Sequence, residues 1–338
     1  MPANTSQTSQ TFRRHVAPFA PLALALLMNA VPSASPVEGG ASITTEDIPD
    51  NVTAVQCEDN IADSQACHDN YPTGCSKAAG YDAYLNYLKN ETPSPATTGI
   101  TFLDQSAFDS LNVGTPDGLG KGNNHADFKD QLNNLGEGTQ RGVIGYLYYF
   151  QATGAESSNC QLTGPDKEGG NVDFHIGIGF DQTLTSDVNP KNPAKPPKIL
   201  QQKSVIVEMT PHYRARFQDG IWTLANLKPA LGHKVRVVGQ LLVDSEHNKP
   251  ADNCALDGTT AQKNHCWRYS IWELHPVTMF EYCEDDSCTQ NSGSWIPLGG
   301  QTSQTSTRSA PASNSNESPA AAEATTRKES KSGRTSRP

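Results

Sequence analysis

Five stretches between Gly142 and Leu274 carry the β-branched and aromatic residues of strands, and two of them set acidic and imidazole side chains at strand spacing. Val143–Phe150 reads as a buried strand. Val172–Phe180 alternates Phe174, Ile176 and Ile178 on one face with Asp173 and His175 on the other. Ser204–Met209 is a third strand and Lys234–Val243 a fourth; Trp267–Leu274 is a fifth, stopped by Pro276. Phe280–Tyr282 forms a short sixth. Asp219 caps a short helix, Ile221–Leu227, that separates the third strand from the fourth. Three strands, a helix and two more strands is the element order of a five-stranded barrel of the OB type, so the expected class is mainly β.

The rest of the chain bounds this barrel. Arg13-Arg14, an apolar run from Val16 to Val31 and the small residues Ser33, Ala34 and Ser35 have the layout of a secretory signal. Twin-arginine export and an uncleaved anchor are the other readings of that run; no later segment could span a membrane. The expected organisation is a signal over 1–35, a polar linker over 36–56, a cysteine-bearing extension with short helices over 57–141, the barrel over 142–298 and a disordered Ser/Thr/Ala/Pro-rich tail over 299–338. In the extension, Asp82–Lys89 and Ala126–Leu132 have helical spacing.

All eight cysteines follow the signal, an even count that points to disulfides in an exported chain and so to a secreted or periplasmic location. Cys254 pairs with Cys266 and Cys283 with Cys288, each across a local loop; Cys57, Cys67, Cys75 and Cys160 pair among themselves in an order that spacing leaves open. Cys283-x4-Cys288 departs from the spacing of a structural zinc site.

The chain has 26 Lys+Arg against 36 Asp+Glu, a net charge of −10. Setting aside the two arginines of 1–35 and the six basic and three acidic residues beyond Gly300 leaves 18 basic and 33 acidic residues, a net of −15. Such a body repels phosphates, so nucleic acid is not the expected partner. The basic end of the tail (Arg327, Lys328, Lys331, Arg334, Arg337) could touch an anionic envelope polymer, though a solvated tail is the simpler reading.

Glu273 and His275 stand two apart in a strand and face one way, as do Asp173 and His175. Glu208 ends the third strand, and Asp244, Glu246 and His247 follow the fourth. If these ends meet, they either ligate a divalent metal such as zinc, through His175, His247 and His275, or pair as imidazole–carboxylate hydrogen bonds with no cofactor. No H-E-x-x-H spacing is present. Glu208, Arg214, Arg268 and Glu273 are the candidate catalytic residues, and Asp173, His175, Asp244, His247, Trp272, Glu273 and His275 the candidate ligand-binding set. His212, Arg214 and Arg216 would either clamp an anion or neutralise Glu208, Glu273 or Asp244, and Arg268 carries the same choice. Trp272, Tyr146, Tyr148 and Tyr149 are stacking platforms or core, and Trp222 and Trp267 mainly packing.

The run Gly239-Gln240-Leu241-Leu242-Val243-Asp244-Ser245-Glu246-His247, with Arg268 and Trp272-Glu273-Leu274-His275-Pro276 after it, resembles an OB-like domain of exported bacterial proteins. In that domain a pattern G-x-L-x-x-D-x-x-H … R-x-x-x-W-E-I-H-P recurs, and Asn159-Cys160 and Asp173-Phe174-His175 fit its upstream half. The resemblance covers 142–282; Leu274 replaces the usual isoleucine, and the proline-rich loop 181–203 has no counterpart. It implies an OB-like fold and an exported location, and no activity. An arginine–carboxylate set on such a barrel is also similar to the secreted thermonuclease fold, but that enzyme's closely spaced acidic calcium cluster is missing. The expected function is a noncatalytic binding or structural module for a small molecule or envelope component. The alternative is a metal-dependent hydrolase of phosphodiesters using His175, His247, Glu273 and His275.

Overall fold

Period-two runs must pair to satisfy their backbone groups, and here they pair back on one another. The computed structural model describes residues 52–78, 80–96, 98–164, 170–218 and 220–300. The apolar N-terminal run, linker residues 36–51, the expected cap Asp219 and the tail beyond Gly300 lie outside the described residues. The strands are β1 (Thr101–Leu103), β2 (Gln140–Ala152), β3 (Phe174–Gly179), β4 (Ser204–Met209), β5 (Lys234–Val243), β6 (Trp272–Cys283) and β7 (Ile296–Pro297). They make one mixed seven-stranded sheet. β2 pairs antiparallel with β3 and with β5, β3 antiparallel with β4, β4 parallel with β6, and β6 antiparallel with β5. The pairings of β2, β3, β4, β6 and β5 therefore run in a ring. β1 adds in parallel to β2 and β7 pairs with β6.

Short helices accompany the sheet: α1 (Ser64–Asn70), α2 (Ala83–Lys89), α3 (Gln105–Gly114), α4 (Lys129–Leu135), α5 (Lys198–Gln202), α6 (Pro211–Phe217), α7 (Leu224–Leu227) and α8 (Thr260–His265). Their starts follow capping chemistry. Asp63, Asp82 and Asp104 each accept a backbone N–H from the first turn of α1, α2 and α3, and Thr259 with Gln262 forms a capping box on α8.

One face of the ring is the main core. Phe174, Ile176 and Ile178 meet Val205, Val207 and Met209, Leu241 and Val243, and Trp272 and Leu274, closed by Tyr213, Trp222 and Leu227 from the segment between β4 and β5. The alternate residues point the other way, and this second face is also covered. Leu242 packs under Tyr84, Leu85 and Leu88 of α2, while Ile206 packs with Tyr146, Tyr148 and Tyr149. Gly177 and Gly179 are required beneath those rings, because a Cβ at either would collide with Tyr149 or Tyr148.

Four expectations are corrected. β6 is not stopped by Pro276 but runs through it, absorbing the expected sixth strand Phe280–Tyr282. The register slips between Gly239 and Leu241, where two residues, His275 and Pro276, face one, so the missing N–H falls in a bulge. The strand also begins at Trp272; Trp267 and Arg268 belong to the preceding loop, which Cys254–Cys266 closes. The helix expected at Ala126–Leu132 is a 3-10 turn, His125–Phe128, leading into α4, which Gly136 ends at φ 104°. The helix expected at Ile221–Leu227 is shorter, α7, capped by Thr223.

All eight cysteines are paired, Cys254–Cys266 and Cys283–Cys288 as expected. The open pairing resolves as Cys57–Cys75 and Cys67–Cys160, the second tying α1 to the loop between β2 and β3. With Cys283 and Cys288 joined, no thiolate is left there for zinc. No helix among the described residues is long and apolar enough to cross a membrane.

Candidate functional site

The register of three strands assembles the site on the second face of the ring. His175 of β3 lies opposite Glu208 of β4, and the parallel pairing Val207↔Leu274 sets Glu273 and His275 of β6 beside Glu208. Glu208 reaches His175 Nε2 at 2.7 Å and His275 Nδ1 at 3.3 Å; His275 Nδ1 is also 3.2 Å from Glu273. Glu273 continues to Arg268 Nη1 at 3.1 Å, and the same nitrogen reaches Asp244 at 3.0 Å. Asp244 Oδ2 ends the series on His247 Nδ1 at 2.6 Å and on Lys89 Nζ at 3.8 Å. Charges thus alternate from Lys89 through Asp244, Arg268, Glu273, His275 and Glu208 to His175. Glu208, Asp244, Arg268, Glu273 and His275 are each no more than 1% exposed.

Neighbouring charge decides the protonation states. Burial alone would depress His275, but Glu208 and Glu273 push it up to about 10, so it is an imidazolium at neutral pH. Burial would raise Glu208, but His175 and His275 hold it well below the usual carboxylate range. Burial likewise opposes the charge on Lys89, and Asp244, backed by Glu156, Glu273 and Glu208, overrides it. His175 is also raised, against burial, chiefly by Glu208. For Asp173 the balance goes the other way, with burial and nearby carboxylates outweighing His275 and His175. Burial and Glu156 push it to about 7, and its Oδ2 accepts from Asn159 Nδ2 at 2.8 Å.

The two ends of this chain of charges open on one cavity of about 690 Å³, between the ring, α2 and the segment 153–161. Lys89, His175, His247 and Trp267 are in its wall. The Trp267 ring lies near parallel to His175, centroids 6.0 Å apart, meets His247 edge-on at 5.1 Å, and has the Arg268 guanidinium 4.2 Å from its centre. Its Nε1 donates to Asp252.

Of the residues expected at a site, Asp173, His175, Glu208, Asp244, His247, Arg268, Glu273 and His275 are brought together. Trp272 is not: it is fully buried in the main core, with Nε1 donating to Leu111 O and Thr115 Oγ1. Tyr148 and Tyr149 are likewise buried against Ile206, and are packing rather than stacking platforms. Arg214 lies 3.7 Å over the Phe174 ring, its Nη2 donates to Val172 O, and its charge interacts with Asp173. Arg216 donates to Thr92 Oγ1. His212 stacks on His68 at 4.5 Å. The expected metal ligands His175, His247 and His275 do not form one ligand-sized cluster; among the described residues the buried set that does is Asp173, Glu208 and His275.

Of the cavity wall, His175 and His247 were expected; Lys89 and Trp267 were not. Lys89 stands one turn after Leu85 on the buried face of α2, a spacing that signals its burial. Trp267 is positioned by the Cys254–Cys266 loop, which no periodicity reveals. A separate pair, His125 Nε2 on Glu137 at 3.0 Å, with His125 Nδ1 against Ser245 Oγ at 2.9 Å, locks the extension to β5. No protein family, curated protein or solved structure matches this chain.

Proposed function

We propose that this chain is an exported, noncatalytic binding module built on an OB-like five-stranded barrel, with a small polar molecule held in the cavity between barrel and extension. The ring of pairings, with the last two strands exchanged in its order, supports the barrel. The four disulfides and the N-terminal signal pattern support export.

One observation carries the reading. Glu273, His275 and Glu208 neutralise one another behind the wall, while Lys89, His175 and His247, at the two ends of the network, reach a cavity of ligand size beside Trp267. A binding site supported by a locked charge network has this division of labour. The test is a thermal-shift screen of small polar molecules on the full chain and on Trp267→Ala. Compounds that raise the melting temperature of the first and not of the second are expected; a screen that stabilises neither protein overturns the reading.

The metal-dependent hydrolase rests on Asp173, Glu208 and His275, whose ligand atoms lie within 4.8 Å of one another. Against it, His275 presents Nδ1 to two carboxylates as a charged donor, and an imidazolium offers no lone pair there. Elemental analysis separates the two: stoichiometric metal, lost in His275→Ala, would replace the binding module by the hydrolase.

A further inference from the structure

Lys89 is a largely buried ammonium, ion-paired with Asp244 but without a hydrogen bond among the described residues. It is 4% exposed, and its ion-pair partner Asp244 Oδ2 stands at 3.8 Å, beyond hydrogen-bond distance. Among the described residues no other acceptor is bonded to it. Asp244 is already served by Arg268 Nη1 at 3.0 Å and His247 Nδ1 at 2.6 Å, so Lys89 is not needed to neutralise it. An ammonium has three donors, and the ion pair with Asp244 leaves them free for an acceptor in the cavity. Lys89 faces the cavity, as do His175 and His247, each with its other ring nitrogen held by a carboxylate. The cavity wall therefore offers three donors from cationic or ionisable groups, in a body that is acidic overall.

We infer that the cavity binds its small molecule through an oxyanion, a carboxylate or a phosphate, seated on Lys89 Nζ and on the imidazoles of His175 and His247. This deepens the binding reading and rests on it. An oxygen of such a group supplies the acceptor that Lys89 lacks, and charge-assisted hydrogen bonds to ammonium and imidazole are the strong kind. Glu156 and Glu246 are also in the wall. They set a limit on charge, because a polyanion would meet both carboxylates while a single oxyanion need not. The acidic body gives the same selectivity at long range.

The experiment is calorimetric titration of the full chain with acetate, succinate, glutamate, inorganic phosphate and glycerol phosphate, alongside the neutral amides acetamide and succinamide. Binding of at least one oxyanion, with its amide counterpart at least about tenfold weaker, is expected from the loss of one charge-assisted contact. A carboxylate preferred over phosphate, or the reverse, identifies which oxyanion is used. Lys89→Met should weaken the bound acid by about tenfold or more and leave amide binding unchanged. Should that variant fail to fold, His175→Gln and the wild-type indole shift of Trp267 in nuclear magnetic resonance spectra carry the same test. If amides bind as tightly as acids, or if acids bind without moving Trp267, the oxyanion is wrong while the cavity reading stands. If nothing binds and the thermal-shift screen is also blank, the cavity reading itself has failed.

Discussion

At the scale of single residues, Arg268 and His275 hold the buried charges apart. Arg268 is fully buried and shared by Asp244 and Glu273 through one nitrogen. Arg268→Met removes that cation and leaves two buried carboxylates leaning on His247, Lys89 and His275. Breaking a buried pair from one side costs about 3–5 kcal/mol, and urea unfolding should show a loss of that size; a loss below about 1 kcal/mol, the range of an exposed pair, would mean that the network is dispensable. His275 gives a pH signature. Its folded value, about 10, lies above the ordinary histidine value of 6.5, so its contribution is fully present below pH 6.5 and is lost as pH rises toward 10. Asp173, pushed up to about 7 from an ordinary aspartate value of 3.8, acts in the same direction over a lower window, disfavouring the fold as pH rises from 4 to 7. Glu208 and Asp244, both held low, contribute stability that disappears in acid instead. Stability should therefore decline on the alkaline side between pH 7 and 10. His275→Gln should flatten that decline while lowering stability at pH 7, and a decline of unchanged slope in the variant would remove His275 as its cause. The pairing of these residues was half legible. Glu273 with His275, and Asp173 with His175, announce a shared face by their spacing. That Glu208 would stand between the two histidines depends on a register among three strands, which no local pattern contains.

At the scale of elements, period two located β2 to β5 because each has one face in the main core. It misplaced β6 at both ends, and the reason is local. Pro276 reads as a stop since it lacks an N–H, yet the bulge at Gly239 takes one residue out of the ladder at that place. Gly239 is the counterpart of that proline. A Cβ on it would lie 2.7 Å from Pro276 O and 2.9 Å from Leu274 Cβ, against backbone and core that cannot swing aside. Gly239→Ala should cost about 1–3 kcal/mol, the usual penalty for overpacking, readable as a lower denaturation midpoint; a neutral effect would show that β5 and β6 are looser there than drawn. The helices of the extension were less legible. α1 has little apolar face of its own and is held by Cys67–Cys160, which closes a separation of 93 residues. In the chain-entropy picture a loop of about 100 residues gives about 4.7 kcal/mol, so the Cys67→Ala/Cys160→Ala double variant should lose most of that. Melting at unchanged temperature would mean that α1 docks without its tether.

At the scale of the whole molecule, the extension is the roof of the site rather than an appendage to the ring. β1 adds to β2, α2 covers Leu242, and Lys89, His125 and Asp82 all enter polar contacts beneath it. One tie is Glu137, which accepts from Val243 N at 2.9 Å while also holding His125. Both partners are buried, so Glu137 satisfies a strand N–H and the His125 ring together, and its charge raises the His125 pKa against burial. Roof and ring should in consequence open as one unit. In native-state hydrogen exchange, the Leu85 and Leu88 amides of α2 should exchange with the same opening free energy as Val237 and Leu241 of β5, since cooperative units share one value. Glu137→Gln keeps an acceptor for Val243 but withdraws the carboxylate charge beside His125. Only the α2 and His125 amides should then fall to a lower opening energy, by about 1–3 kcal/mol for the loss of a hydrogen bond to a charged group, while β5 keeps its own. If α2 already opens well below β5 in the unaltered protein, the cavity has a mobile lid, and the buried ammonium of Lys89 meets water often enough that no bound oxyanion is needed to explain it.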